Sequence, residues 1–237
     1  MALPDTSIAV HNLEKLSTLD TLPQETWVKK RFKNAPQILL TNDAHFNGHT
    51  SLNGYGASSF LLQIEDSVIA VSAKHLLNEV HPALSKQKFN TDLKKWTLYP
   101  RATEKLSDSN STMVAALINT RESTDDLLLF EITSIPSSIF PLQPYYGDLI
   151  LGEQLYLIGC TYAQVDCKQN FYKTQYRGVY NKDFSLMSVP GNFNFQGYSG
   201  GPVINSKGHC VGALYGGKYE AETNSTLLVF SPINLIK

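Results

Sequence analysis

The feature of this chain that most limits its fold is a series of short apolar runs, each interrupted before a helix could complete. "ASSFLLQIEDSVIAVSA" reads as two β-rich runs around Glu65-Asp66, a hairpin. "KWTLYP", "TMVAALIN", "DLLLFEI", "EQLYLIGCTY", "FYKTQYRGVY" and "STLLVFSPI" are further strand-like runs, and "INSKGHCVGAL" reads as strand, tight turn, strand. Gly, Pro, Asn, Asp and Ser punctuate them at short spacing. Many short strands with such turns predict an all-β barrel or sandwich. Helix is expected in two places only. "TLPQETWVKKRF" offers Thr21 as a cap, Pro23 near the start and Lys29, Lys30 and Arg31 near the end. "HLLNEV" suits a single turn. The three prolines of "SIPSSIFPLQPYYGD" mark a surface crossing near residue 145. The expected organisation is a partly helical extension over residues 1–40, a first unit over 41–145 and a second over 146–237.

Composition narrows the function. A chain of 237 residues, 42% hydrophobic, suits one large domain or two packed lobes with a real core. A formal charge of −1 draws the protein to neither nucleic acid nor an anionic membrane. Its 12 tyrosines lack interleaved Lys and Arg, so no stacking platform for bases is expected. No apolar stretch reaches transmembrane length. The start, "MALPDTSIAVHNLEKLSTLD", has no basic segment followed by a long apolar core, which favours a cytoplasmic protein unless a leader has been removed. Three cysteines in a chain this long are not a disulfide framework. Cys160 and Cys210 sit in apolar runs as small buried side chains and Cys167 in a polar loop, so a Cys160–Cys167 bridge is an open alternative. There is no phosphate-binding glycine loop. His45 and His49 would suit a metal on a helix, but Asn47, Gly48 and Gly54 argue for a loop. No cofactor and no metal are expected.

Against this background "FQGYSGGPVI" stands out. Either its glycines bend the backbone so that Ser199 acts as a nucleophile, or the stretch is only a tight turn. A serine hydroxyl needs an adjacent base, and the base needs an orienting carboxylate. Among six histidines, His75 follows the run "VIAVSAK", at a strand end, where a side chain can be held rigidly yet face a cleft. Asp125 and Asp126 precede "LLLFEI", and an acid at the mouth of a buried strand can be aimed at an imidazole; the plainer alternative is a turn residue. Chain order then discriminates. The nucleophile elbow of α/β-hydrolases requires acid and histidine after the serine, and here only His209 follows. The order Asp, His, Ser could use Asp66 and His75, but the long helices of that fold are missing. The order His, Asp, Ser goes with paired β-barrels.

Three segments carry a resemblance to the chymotrypsin-fold serine peptidases, in the style of bacterial and viral trypsin-like forms. "VSAKHLL" resembles the histidine motif, "DDLLLFEI" the aspartate motif and "GYSGGPVIN" the serine motif Gly-x-Ser-Gly-Gly-Pro, over roughly residues 45 to 235. The resemblance implies two packed antiparallel β-barrels, here with a short N-terminal helical extension, and a serine endopeptidase. It implies that Ser199 attacks the scissile carbonyl, His75 moves the proton and Asp126 holds the imidazole. The backbone N–H groups of Gly197 and Ser199 would face the oxyanion. Phe193, Gln196, Tyr215, Gly216, Gly217 and Ser231 would border an extended polypeptide substrate. Phe193 stands where enzymes with basic preference carry an acid, so an uncharged residue before the cut is expected. Three positions depart from the pattern. Lys74 replaces an alanine and must snorkel or find a partner. Tyr198 replaces the Asp or Asn that pairs with a freed N-terminus in activated digestive enzymes. Tyr215 replaces a small residue near the buried aspartate. The rival reading is a binding or scaffold module that kept the site and lost turnover.

Overall fold

A computed structural model describes residues 23–48, 57–77, 84–119 and 126–236. Among the described residues, twelve strands close into two antiparallel barrels. The first is built from β1 (Leu40–Phe46), β2 (Ser58–Ile64), β3 (Ser67–Ala73), β4 (Leu93–Tyr99), β5 (Thr112–Leu117) and β6 (Leu127–Ile132), in the order β1-β2-β3-β6-β5-β4. The second uses β7 (Gln154–Gly159), β8 (Asn170–Asn181), β9 (Phe184–Pro190), β10 (Pro202–Asn205), β11 (Cys210–Glu220) and β12 (Ser225–Pro232), in the order β10-β11-β12-β9-β8-β7. The expected hairpin is β2–β3, paired from Ser59↔Ser72 to Ile64↔Ser67, with Glu65 at the turn in the left-handed region (φ 50°).

The apolar runs are continuous where a strand is buried on both faces. Along β2, β3 and β6 alternate side chains go to different cores. Leu61, Ala70, Leu128 and Phe130 fill the first barrel with Phe46, Phe89 and Trp96. Phe60, Leu62, Val71, Leu127 and Leu129 face the other way and meet Ile158, Cys160, Ile204, Cys210 and Ala213 of the second barrel. This seam of apolar side chains joins the barrels and replaces the polar outer face such strands would otherwise need. The second barrel has its own core, including Leu155, Leu157, Met187, Tyr198, Val203, Leu228 and Phe230.

Two strands and a helix went unanticipated. β1 contains Asn42, which is fully buried because its Oδ1 accepts from Ser59 Oγ (2.7 Å) and Trp96 Nε1 (2.9 Å). β9 hides serines in its alternation, with Ser185 and Ser188 buried. A helix over Lys86–Asp92 is capped by Ser85, whose hydroxyl accepts from Lys88 N–H, and buries only Phe89. The expected N-terminal helix shrinks to α1 (Thr26–Lys29), with Glu25 rather than Thr21 at its cap position; Thr21 lies outside the described residues. The turn expected in "HLLNEV" begins as a 3-10 turn over Lys74–Leu76, and residues 78–80 lie outside the described residues.

The N-terminal segment seals the seam. Trp27, Val28 and Phe32 pack into it, and Glu25 N–H donates to Lys207 O (2.8 Å) on the turn between β10 and β11. His209 on this turn is 2% exposed. Burial, helped by the Lys207 charge, lowers its pKa below the ordinary 6.5, against a hydrogen bond to the Pro23 carbonyl that acts the other way. A depressed histidine pKa means that, below pH about 6.5, the unfolded chain binds a proton the folded chain resists. The stability it contributes is therefore complete above that pH and is lost as the pH falls toward the folded value. The denaturant midpoint is expected to fall from pH 7.5 to pH 5.5, and to fall less in His209→Gln. An equal fall in both proteins would contradict this.

Candidate active site

Strand register brings two of the expected residues together. β3 and β6 pair at Ala73↔Leu127, so the residues just beyond that pair, at the C-terminal end of β3 and the N-terminal end of β6, are neighbours. Lys74 N–H donates to Asp126 O (2.6 Å) and extends the ladder by one bond. His75 N–H then donates to Asp126 Oδ1 (2.8 Å), and His75 Nδ1 lies 2.8 Å from Asp126 Oδ2. The carboxylate is buried and uses both oxygens on one histidine, while the imidazole keeps a partly open face. Such a grip fixes ring orientation and places the donor of the neutral ring on Nδ1, leaving Nε2 as acceptor. Asp125, the other candidate, lies outside the described residues. The Lys74 side chain is buried.

The serine turn crosses from the second barrel to the same strand ends. Ser58 N–H donates to Ser199 O (2.8 Å), and Ser58 Oγ donates to Gly197 O (3.0 Å). Ser72 Oγ donates in turn to Ser58 O (2.8 Å). Gly200 has φ +80°, and a Cβ there would sit 2.2 Å from Ser58 O and 2.8 Å from Ala73 N. Only glycine lets the turn lie this close to β3, two residues short of His75. On its other side Gly200 N–H donates to Leu214 O (2.8 Å), next to Tyr215, whose ring meets the His75 ring edge-on at 5.4 Å. The three segments thus converge at one end of the seam. Among the described residues, Ser199 Oγ makes no hydrogen bond.

Two N–H groups on this turn are unclaimed. Neither Gly197 N–H nor Ser199 N–H has an acceptor among the described residues, whereas Tyr198, Gly200 and Gly201 N–H groups all donate within the protein. Donors left open beside a serine are suited to an incoming oxyanion. Gly197 has φ +101°, and a Cβ there would come 2.8 Å from Cys160 O and 2.9 Å from Tyr162 N. Gly197→Ala is expected to displace the turn and, if the open N–H groups serve an oxyanion, to lower kcat by roughly 100-fold or more, in the range known for losing one such donor. Unchanged kcat in the folded variant would show that the Gly197 N–H is not used.

The substrate-bordering residues divide. Tyr215 is the unpaired residue of a β-bulge between Leu214 and Gly216, which re-aims its ring toward His75 and Phe184. Space beyond a Cβ on Gly216 is open, while one on Gly217 would strike Leu227 O at 2.7 Å. β11 pairs with β10 only as far as Ala213, so no described strand covers its edge from Tyr215 onward. Gln196 is exposed, and its carbonyl accepts from Tyr162 N–H (3.2 Å). Phe193 is half-buried against Tyr172 and Tyr198. Ser231 requires correction. Rather than lining a pocket wall it is 1% exposed, and its Oγ accepts from Asp126 N–H at 3.2 Å. Its partner in the ladder is Ala213, which turns it toward the seam. The small hydroxyl residue expected beside the aspartate thus comes from β12, and nothing in the local sequence around Tyr215 signals that.

Tyr198 is fully buried and lies over Gly159, where a Cβ would come within 2.0 Å of its ring. Burial pushes its phenol pKa well above the ordinary value. The residue that replaces an acid is therefore an apolar plug beneath the turn. The alternative left open for the cysteines is realised: Cys160 and Cys167 are disulfide-bonded, and Cys210 is a buried free thiol. His45 lies on β1 with Nε2 3.0 Å from Asp43 Oδ1.

No protein-family profile and no curated protein sequence matches the chain. Solved structures do. The crystal structure of the MamO protease domain from Magnetospirillum magneticum is similar with a TM-score of 0.54 and 11% identity, over 86% of this chain and 96% of that one. Kallikrein-related peptidase 10 is similar with a TM-score of 0.54 and 14% identity, over 84% and 90%. At these identities the likeness speaks for architecture: the protein has the two-barrel chymotrypsin fold of trypsin-like peptidases.

Proposed function

We propose that the protein is a serine endopeptidase that cleaves extended polypeptides through an acyl-enzyme. The observation that carries this reading is the 2.8 Å contact between His75 Nδ1 and Asp126 Oδ2, placed where the Ser199 turn docks on the same strand ends. Asp126 keeps the Nδ1–H tautomer, so Nε2 takes the Ser199 proton as Oγ bonds to the scissile carbonyl carbon. The carbonyl oxygen gains the negative charge and is met by the N–H groups of Gly197 and Ser199. The imidazolium then protonates the leaving amine as the C–N bond breaks. Water, deprotonated by the same nitrogen, then adds to the acyl carbon, and the Ser199 Oγ–carbon bond breaks as the imidazolium returns its proton to Oγ, releasing the acid. The substrate backbone adds to the open edge of β11 from Tyr215 onward, as a peptide adds to a sheet. Phe193 carries no charge, which favours an uncharged side chain before the cut.

One observation favours the second reading, a peptidase-like binding module: Ser199 Oγ is not hydrogen-bonded to the imidazole. Resting enzymes often close that bond only around substrate. A cleavage profile on a diverse peptide library, with Ser199→Ala as control, separates the two. Cuts after uncharged residues that vanish in the control support the endopeptidase. Peptides retained intact by both proteins support the binding module.

A further inference from the structure

The open Gly197 N–H is aimed from outside its own turn. A peptide unit is planar, so the direction of the Gln196 carbonyl sets that of the Gly197 N–H, which points the opposite way. The Gln196 carbonyl is held by Tyr162 N–H at 3.2 Å. Tyr162 belongs to the loop that the Cys160–Cys167 disulfide closes. Within that loop Gln164 N–H donates to Thr161 O and Cys167 N–H to Gln164 O. The same two carbonyls are gripped from the first barrel: Arg101 Nη1 donates to Thr161 O (2.9 Å) and Nη2 to Gln164 O (3.1 Å). Arg101 is 4% exposed, on the turn after β4. It also lies near enough to Tyr198, the plug under the serine turn, for its charge to act on the phenol.

We infer that Arg101 and the Cys160–Cys167 loop form a clamp that positions the oxyanion donor of Gly197, and so sets turnover without touching substrate. This rests on the peptidase reading for its catalytic consequence but not for its geometry. A freed amino terminus pairing with an acid at position 198 is not needed to order the turn, because Tyr198 packs beneath it and the clamp holds it from the side. The two fastenings differ in chemistry. A guanidinium presents two N–H groups in a fixed fork and can bridge two carbonyls, which a lysine ammonium cannot do with the same geometry. The disulfide opens under reduction, which ties the clamp to an oxidising compartment.

The test compares wild type, Arg101→Lys and a Cys160→Ser/Cys167→Ser variant, with wild type also treated with dithiothreitol. That reagent closes to its cyclic disulfide as the two protein sulfurs take up two electrons and two protons. Amide exchange at Tyr162 and Tyr198 is expected to quicken at least about tenfold in each altered state, whatever the activity. On a cleaved peptide, kcat is expected to fall about 10- to 100-fold, with KM within about threefold and the pH midpoint of kcat/KM unmoved. Unchanged amide exchange in folded Arg101→Lys and in reduced wild type would overturn the clamp. So would a loss expressed in KM alone, or one accompanied by a shifted pH midpoint. If the double variant fails to fold, Arg101→Lys and the reductant decide. Wild type without turnover, but with exchange that quickens as described, supports the clamp and overturns the peptidase reading instead.

Discussion

Ser199→Ala is expected to lower kcat on a cleaved peptide by about 10⁴- to 10⁶-fold while leaving the fold as stable as before. Both halves follow from what the residue touches. Its hydroxyl makes no hydrogen bond among the described residues, and its carbonyl, which takes the Ser58 N–H, is untouched by the change. The turn also keeps Gly197, Gly200 and the Tyr198 plug. Removal of the nucleophile leaves only binding and the two N–H donors, which supply a small residual rate. If serine and histidine act as one unit, as proposed, adding His75→Ala to Ser199→Ala is expected to cost almost nothing more. A second loss as large as the first would mean that the two work separately.

Asp126→Asn is expected to be nearly as severe, with kcat reduced about 10⁴-fold in a folded protein. The carboxylate faces two groups of His75 at once: the backbone N–H at Oδ1 and Nδ1 at Oδ2, each at 2.8 Å. An amide has one acceptor and one donor for these positions. With its oxygen toward the backbone N–H, its NH₂ faces Nδ1 and forces the proton onto Nε2, which can then no longer accept from serine. Turned over, it sets NH₂ against N–H. The first arrangement is the better one, so the wrong tautomer is populated and geometry is kept. Circular dichroism and the melting temperature should be close to wild type while turnover is lost. Retention of more than about a tenth of wild-type kcat would mean that Asp126 does not set the tautomer.

Much of this architecture is legible in the order of residues. The runs that became β2, β3 and β6 read as strands because both of their faces are buried, one in a barrel and one in the seam. Elements escaped where polar residues are internal. Asn42 breaks the apolar pattern of β1, its Oδ1 taking two donors inside the barrel. Ser188 does so in β9, where Arg177 Nε donates to its hydroxyl. Periodicity registers polarity and cannot register a partner more than ten residues away. The same limit explains the site. His75 and Asp126 could be singled out because each borders an apolar run, and the strand register then sets them side by side. Ser231 was misplaced because its role depends on which face β12 turns to the seam, which is set by its pairing with Ala213 on β11 and leaves no local signal. Arg101 carries no local signal at all: its two acceptors lie 60 and 63 residues away. The disulfide was left open because a single pair among three cysteines has no spacing that requires it.

The most direct test of the central claim is the reaction of the native protein with a fluorophosphonate, followed by peptide mass mapping. The phosphonyl group replaces the acyl carbon, fluoride leaves, and the adduct forms only on a serine made nucleophilic by its surroundings. The expected result is one adduct per chain, on the peptide containing Ser199, absent from heat-denatured protein and at least about 100-fold slower to form in His75→Ala. A native protein that stays unlabelled, or carries its adduct elsewhere, would contradict the account.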